Sequence, residues 1–216
     1  VLKHALLLTA SPSLENILHQ LPEWKTFKDQ VQIEKIETGL TNHNFKVTFP
    51  TKAYFVRMGS DRPDLLGLDP EREYFCTKYA AALGIAPDIV LYNREDHTMV
   101  MPFIISKPLQ KNRSTYQRIV TALKQFHTSK KTLPTTFCPY KIIREYYRHA
   151  ATLRADHHVP MASHLLAIVE DIRLSVPQFQ KLAPCHLDLF NCNFLDDGNK
   201  IWIIDWEYSA MADPLY

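Results

Sequence analysis

Glycine is scarce in this chain, with 5 residues among 216, and no internal repeat or low-complexity linker is present. No segment approaches the roughly 18 consecutive apolar residues of a membrane-spanning helix, and the apolar run at residues 6–8 is too short for a secretory signal. The formal net charge is only +2, and the basic residues form no concentrated stripe, which excludes a nucleic-acid-binding class. We therefore expect a cytoplasmic protein without a membrane span.

The four cysteines form no C-x-x-C pair and no regular framework. A disulfide scaffold or a structural zinc site needs such spacing. Cys185 and Cys192 flank the H-x-D motif described below, which leaves a metal or redox role open, but we favour reduced thiols. This usage agrees with a reducing compartment.

The first half of the chain contains alternating apolar and polar residues. This period predicts three antiparallel strands, over residues 31–33, 45–49 and 54–58, after a helix at 11–20. Asp69-Pro70 begins a second predicted helix of about 13 residues, which ends at Gly84. Two further strands are predicted over residues 88–92 and 98–104.

The second half of the chain has a helical pattern. Residues 114–117 (S-T-Y-Q) resemble a capping box ahead of a helix to residue 127, and two more helices are predicted over 140–153 and 161–175. Strands followed by helices predict an α+β protein with two lobes. We assign residues 1–104 to an N-lobe and 105–216 to a C-lobe, with the boundary near residues 103–108.

A motif near the end of the chain carries chemistry. His186, Asp188 and Asn193 spell H-x-D-x-x-x-x-N, and Asp205 follows an apolar run twelve residues after Asn193. Phosphoryl transfer needs one carboxylate to orient a hydroxyl, and an amide and a carboxylate to hold Mg²⁺. We therefore predict an ATP-dependent kinase with Asp188 as the catalytic carboxylate and Asn193 and Asp205 as Mg²⁺ ligands.

The turn residues between these positions strengthen the metal prediction. Residues 196–200 (D-D-G-N-K) are a strong hairpin signal, with Asp197-Gly198 at the tip. The hairpin would place Asn193 at the start of one strand and Asp205 at the end of its partner. Both side chains could then reach one cation.

A loop rich in Gly, Thr and Asn lies between two predicted strands in the first half. Its backbone N–H groups and hydroxyls can contact phosphates, although an ordinary turn is the alternative. Arg57 on the next strand would offer the phosphates a bidentate cation. An arginine in a cleft needs a carboxylate partner, for which we favour Glu73 over Glu71. The candidate nucleotide-binding residues of the loop are Thr38, Gly39, Leu40, Thr41 and Asn42.

Three residues beside the motif have open roles. We favour a bracing role for His186 over a chemical one. Glu207 could bind a second metal or a cationic substrate, or it could be a solvated loop acid. Trp206 could belong to the core or to the acceptor site.

These segments together resemble the choline/ethanolamine kinase and aminoglycoside phosphotransferase family, which has a protein-kinase-like fold. The resemblance implies that ATP binds between two lobes with its adenine against the backbone near Met101 and Phe103. It also implies Asp188 as the base, with Asn193 and Asp205 as Mg²⁺ ligands. The segments that carry the resemblance are residues 38–42, 54–57, 71–73, 83–87, 186–193 and 204–208.

The sequence D-W-E-Y at residues 205–208 resembles the pattern of choline and ethanolamine kinases, whereas aminoglycoside enzymes typically carry glycine in place of Glu207. The resemblance implies choline or ethanolamine as the acceptor. A quaternary ammonium favours an aromatic cage with a carboxylate, for which Trp206, Glu207 and Tyr208 are candidates. Other hydroxylated amines, such as an aminoglycoside or thiamine, and an inactive nucleotide-binding module remain alternatives.

Members of this family usually continue beyond the D-P-x-[FYW] segment found here at residues 213–216. We therefore expect the chain to be incomplete at this end and the acceptor pocket to be only partly present. The particular acceptor, the oligomeric state and the pathway stay open.

Overall fold

The computed structural model of the protein describes residues 12–37, 42–59, 69–152, 159–175 and 181–214. The chain forms two compact units, one of residues up to 126 together with 186–209, and one of residues 127–185 together with those from 210 onward. The candidate site lies in the first unit. The predicted division into lobes at residues 103–108 stays a prediction.

A five-stranded antiparallel sheet is the frame of the first unit, with the strand order β1-β2-β3-β5-β4. Val47 pairs with Tyr54, and Arg57 pairs with Met99. Because side chains alternate across a strand, Tyr54 and Arg57 face opposite sides of the sheet. The strands are β1 (Gln32–Ile36), β2 (His43–Thr48), β3 (Ala53–Met58), β4 (Leu91–Asn93) and β5 (Thr98–Pro102).

The helix α1 (Pro12–Gln20) covers one face of this sheet and is followed by the short helix α2 (Trp24–Phe27). Four side chains at helical spacing are at most 2% exposed: Leu14, Ile17, Leu18 and Leu21. They share one core cluster with five residues of the sheet region: Val47, Phe49, Tyr54, Val56 and Val100. The hydroxyl of Tyr54 donates to Glu23 Oε2 at 2.6 Å. The predicted helix is therefore confirmed over α1, while its predicted start at Ser11 lies outside the described residues.

Helix α3 (Pro70–Ala82) forms where the sequence predicted it. The carboxylate of Asp69 accepts hydrogen bonds from the backbone N–H groups of Glu71 at 3.0 Å and Arg72 at 3.2 Å. Proline at the first helical position costs no hydrogen bond there. Gly84 follows the helix with a φ of +73°, a left-handed conformation that ends helices and favours glycine.

We expect Asp69→Ala to lower the free energy of unfolding by about 1 kcal/mol, because two backbone N–H groups lose their acceptor. Asp69→Ser keeps an acceptor oxygen at this position and is the matched control. Chemical denaturation of the three proteins is the measurement. An Ala variant as stable as the wild type would contradict the contribution of this cap.

Two predicted strands differ in their bounds. The strand predicted over 88–92 is β4, where regular pairing begins at Leu91 opposite Val100. The strand predicted over 98–104 ends at Pro102, although the N–H of Phe103 still donates to the Ala53 carbonyl at 2.9 Å. Helix α4 (Arg113–His127) begins ahead of the predicted capping box. The capping prediction was wrong because Asn112 provides the capping oxygen, which accepts from the Thr115 N–H at 2.9 Å.

The second unit contains the helices α5 (Pro139–Thr152) and α6 (Val159–Ser175), close to the predicted ranges. Arg144 donates to Glu170 at 2.9 Å between them. A short antiparallel pair of β6 (Ala183–Cys185) and β9 (Ala210–Ala212) was not predicted. For α5, the predicted end at Leu153 lies outside the described residues. Within the described part of the chain, no helix is long and apolar enough to cross a membrane.

Candidate active site

The predicted hairpin is present as β7 (Phe194–Asp196) and β8 (Ile201–Ile203). At its tip, the Asp197 carboxylate accepts from two backbone N–H groups, and Gly198 has a φ of +96°. Asn193 does not begin the strand as predicted but ends a 3-10 turn, in which its N–H donates to the Phe190 carbonyl. The Asn193 carbonyl accepts from the Ile204 N–H at 3.0 Å, so the two metal candidates still approach each other across the hairpin.

Asn193 also fixes the candidate catalytic residue. Its Nδ2 donates to the Asp188 carboxylate at 2.8 Å and to the Asp188 carbonyl at 2.9 Å. Both hydrogen bonds donated by the amide nitrogen are thereby directed at Asp188, while the amide oxygen accepts a weak hydrogen bond from Cys192 Sγ at 3.6 Å. Asn193 is 5% exposed, so it donates these two hydrogen bonds from inside the protein rather than from its surface.

His186 supports the same loop through the contacts of its imidazole ring. His186 is 1% exposed, and its ring packs edge-on against Trp206, with the ring centres 4.6 Å apart. Nδ1 accepts from the Asp188 N–H at 3.2 Å, so Nε2 carries the proton that binds the Ile204 carbonyl at 2.9 Å. The contacts of His186 agree with the bracing role.

We expect the stability of the protein to depend on pH through His186. Burial lowers the pKa of this imidazole below its ordinary value of 6.5, so below about that pH the unfolded chain binds more protons than the folded one. The free energy of unfolding should therefore decrease as the pH falls through this range.

The measurement is chemical denaturation between about pH 5 and pH 8, the range in which histidine titrates. His186→Asn should flatten the pH dependence. Burial also lowers the pKa of half-buried His127, so His127→Asn is the control and should flatten it less. An unchanged pH slope in His186→Asn would contradict this account.

Asp205 is held in an uncommon conformation. Its φ is +66°, and Leu187 in the catalytic loop has a φ of +69°. Such left-handed backbone costs free energy in residues other than glycine and is concentrated at functional sites. Asp205 Oδ1 is buried and accepts no hydrogen bond from the part of the chain that the structure describes, although it forms an ion pair with Arg57 Nη1 at 3.6 Å. A bound cation would satisfy this oxygen.

Arg57 pairs with several carboxylates near the catalytic loop. It forms an ion pair with Glu73, as the sequence interpretation favoured. Glu71 instead binds Arg94 at 2.8 Å, outside this cluster. Arg57 Nη2 also binds the Glu207 carboxylate at 2.6 Å, a contact that the sequence interpretation missed.

Glu207 is therefore not a solvated loop acid. Its side chain is 7% exposed, and burial raises its pKa, as do the negative charges of Asp205 and Asp188, while Arg57 lowers it. The backbone carbonyl of Glu207 also accepts from Arg72 Nη2 at 2.9 Å. No local pattern indicated these contacts, although Glu207 directly follows the core residue Trp206.

A cleft of about 340 Å³ adjoins this cluster, a size in the range of small-molecule sites. Polar and apolar residues from β2, β3, β5, α3 and the hairpin line it. Seven of them were predicted to bind the nucleotide or the metal: Asn42, Arg57, Glu73, Met101, Phe103, Asn193 and Asp205. Thr38, Gly39, Leu40 and Thr41 lie outside the described residues.

The predicted acceptor residues are less well placed. Trp206 also lines the cleft, but it is 1% exposed and its ring packs against Phe126 and His186, which favours the core role over a cation-binding one. Glu207 is bound to Arg57, while Tyr208 is 39% exposed. Among the described residues, no cluster of three or more His, Cys, Asp or Glu is placed to hold a metal ion, so a cation here needs further oxygen ligands.

The antiparallel sheet, the Arg57–Glu73 pair and the catalytic loop define a protein-kinase-like α+β fold, as predicted. The choline/ethanolamine kinase model matches residues 33–213, and the chain belongs to this family. It is similar to choline kinase LicA from Streptococcus pneumoniae, with a TM-score of 0.73 and 22% identity over 94% of this chain and 72% of that one.

A choline/ethanolamine kinase family protein from Mesorhizobium loti has a TM-score of 0.69 and 25% identity, over 94% of this chain and 66% of that one. Protein LicA of Haemophilus influenzae is 23% identical over 187 residues, which is 82% of this chain and 54% of that protein. The chain therefore spans about half the length of this curated relative.

Proposed function

We propose that this protein transfers the γ-phosphoryl group of ATP to the hydroxyl of choline or ethanolamine. The observation that carries the proposal is the catalytic loop, in which Asn193 holds the Asp188 carboxylate beside a cleft lined by Asp205 and Arg57. Membership of the choline/ethanolamine kinase family supports the acceptor class.

Asp188 would act on the acceptor. Its carboxylate orients the acceptor hydroxyl and takes its proton as the hydroxyl oxygen bonds to the γ-phosphorus. The bond between the γ-phosphorus and the bridging oxygen breaks, and ADP leaves with the electron pair. The two hydrogen bonds from Asn193 keep the carboxylate in place, which reduces the entropy lost on reaching the reactive geometry.

The cleft would hold the nucleotide. Arg57 would provide positive charge for the phosphates, and Met101 and Phe103, which line the cleft, would contact the adenine. Since the Phe103 N–H already binds Ala53, the adenine would meet the ring or the carbonyl of Phe103. The phosphate-binding roles of Asn42 and residues 38–41 belong to this proposal as well.

The residues present fit Mg²⁺. This ion prefers hard oxygen ligands and keeps positions for substrate phosphates. The site offers the Asn193 amide oxygen, whose thiol donor Cys192 is weak, and the Asp205 carboxylate, whose Oδ1 accepts no hydrogen bond from the described residues. When bound, Mg²⁺ supplies charge neutralisation for the nucleotide phosphates. Among the described residues this buried oxygen has an ion pair with Arg57 but no hydrogen bond, which supports the assignment.

An ADP-release assay with choline, ethanolamine, thiamine and an aminoglycoside tests the proposal. We expect the highest kcat/KM with choline or ethanolamine. A preference for thiamine or the aminoglycoside would overturn the acceptor assignment. Binding of ATP without ADP release for any of the four would favour the inactive nucleotide-binding module.

A further inference from the structure

We infer that Glu207 is a positioning residue for Arg57, and that the two residues form one phosphate-binding unit. The inference rests on the proposed function, because it assigns Glu207 to the nucleotide side of the site. It replaces the acceptor-binding and second-metal roles that the sequence left open.

The guanidinium of Arg57 holds two carboxylates on two different nitrogens. Nη1 pairs with Glu73, and Nη2 pairs with Glu207 Oε2 at 2.6 Å. The Arg57 side chain is 11% exposed, that of Glu73 is 12% exposed and that of Glu207 is 7% exposed, so water screens these charges little. Because the planar guanidinium is bound at both terminal nitrogens, it is held in one orientation. An arginine without these partners would be free to change its orientation.

Glu207 also connects this arginine to helix α3. Its carbonyl accepts from Arg72 at 2.9 Å, one position before Glu73 in the helix. Glu207 therefore holds the Arg57 guanidinium through its carboxylate and helix α3 through its carbonyl. Helix α3 also carries Glu73, the second partner of Arg57. These two contacts explain why the acid at position 207 is buried, whereas most loop acids are solvated.

A lysine at position 57 could not take over this arrangement. Its ammonium is a single point charge without the two separate terminal nitrogens of a guanidinium, so it would not hold both carboxylates in the geometry that Arg57 fixes, and at least one of them would be poorly paired. A buried charge that loses its partner is strongly destabilising, whereas removing both charges together costs far less. Arginine at 57 and glutamate at 207 are therefore coupled by geometry.

The contacts of Glu207 argue against the other two roles. Its Oε2 is engaged by Arg57, and the residue does not line the large cleft that contains Asn193 and Asp205. A cationic acceptor or a second metal would have to compete with Arg57 for the same carboxylate. The effect of losing the charge should therefore appear in nucleotide binding.

The first test separates the kinetic constants of Glu207→Gln. We expect the KM for ATP to rise by about 10-fold, with the KM for choline changed by less than about twofold. The weaker nucleotide affinity should persist in EDTA, because Arg57 acts without a metal. A larger rise in the KM for choline, or an affinity loss that disappears in EDTA, would overturn the inference.

The second test is a double-mutant cycle on ATP affinity and kcat/KM. We expect Arg57→Lys to lower kcat/KM by about 100-fold, and the Arg57→Lys/Glu207→Gln double variant to recover at least about 10-fold of that loss. Arg57→Lys/Glu71→Gln is the matched control, since Glu71 binds Arg94, and it should recover nothing. Additive losses in the first pair, or equal rescue by Glu71→Gln, would contradict the coupling.

The melting temperatures of the same variants test this inference independently of the proposed function. If wild-type protein releases no ADP with any acceptor, the proposed function fails. The recovery of melting temperature in the Arg57→Lys/Glu207→Gln variant, relative to Arg57→Lys alone, then still tests the unit. No recovery of either melting temperature or nucleotide affinity would overturn it.

Discussion

Asp188→Asn is expected to lower kcat by at least about 100-fold while leaving the dissociation constant of Mg²⁺-ATP within about twofold of the wild type. Asparagine has nearly the same shape and keeps an oxygen that can accept from Asn193, but it cannot take the hydroxyl proton. The loss should therefore appear in the chemical step and not in nucleotide binding.

Two measurements on the same protein check this expectation. Steady-state ADP release with choline gives kcat, and titration calorimetry gives the affinity for the nucleotide. Turnover equal to that of the wild type would remove Asp188 from the role of base. Equal losses of turnover and nucleotide affinity would show instead that the substitution disturbs the loop held by Asn193.

The second large effect is expected at Asp205. Asp205→Asn should weaken ATP binding by at least about 10-fold in Mg²⁺ and change it little in EDTA, because an uncharged amide is a poorer ligand for this ion. Asparagine is preferred to alanine here, since Asp205 has a φ of +66° and asparagine tolerates this conformation better. The comparison therefore isolates the charge from the backbone.

Asp197→Asn offers a control for this result. Asp197 belongs to the same hairpin but binds the tip, where it accepts from Lys200 and Trp202. Its substitution should lower stability without a Mg²⁺-dependent change in nucleotide affinity. A loss of affinity in Asp205→Asn that is the same with and without Mg²⁺ would rule out the metal-ligand role.

Local chemistry made several elements predictable. The hairpin follows from Asp197-Gly198, because glycine adopts the positive φ that the turn requires. Helix α3 follows from a capping aspartate at its start and Gly84 at its end. The start of α4 was missed because two capping signals, Asn112 and Ser114, lie within one turn, and the sequence does not rank them.

The chemistry of the cleft was predictable only in part. The Asp188, Asn193 and Asp205 pattern depends on residues close in the chain, where turn geometry limits the possible distances. The contact of Arg57 with Glu207 joins positions 150 residues apart, and no local period encodes it. An acid in a loop is most often solvated, so the burial of Glu207 could be found only from the folded structure.

Transfer of labelled γ-phosphoryl from ATP to choline or ethanolamine tests the central claim most directly. We predict that the wild-type protein forms the phosphorylated amino alcohol in equal amounts with ADP, in a Mg²⁺-dependent reaction that Asp188→Asn reduces by at least about 100-fold. Absence of labelled product from both amino alcohols, in protein that binds ATP, would contradict the account.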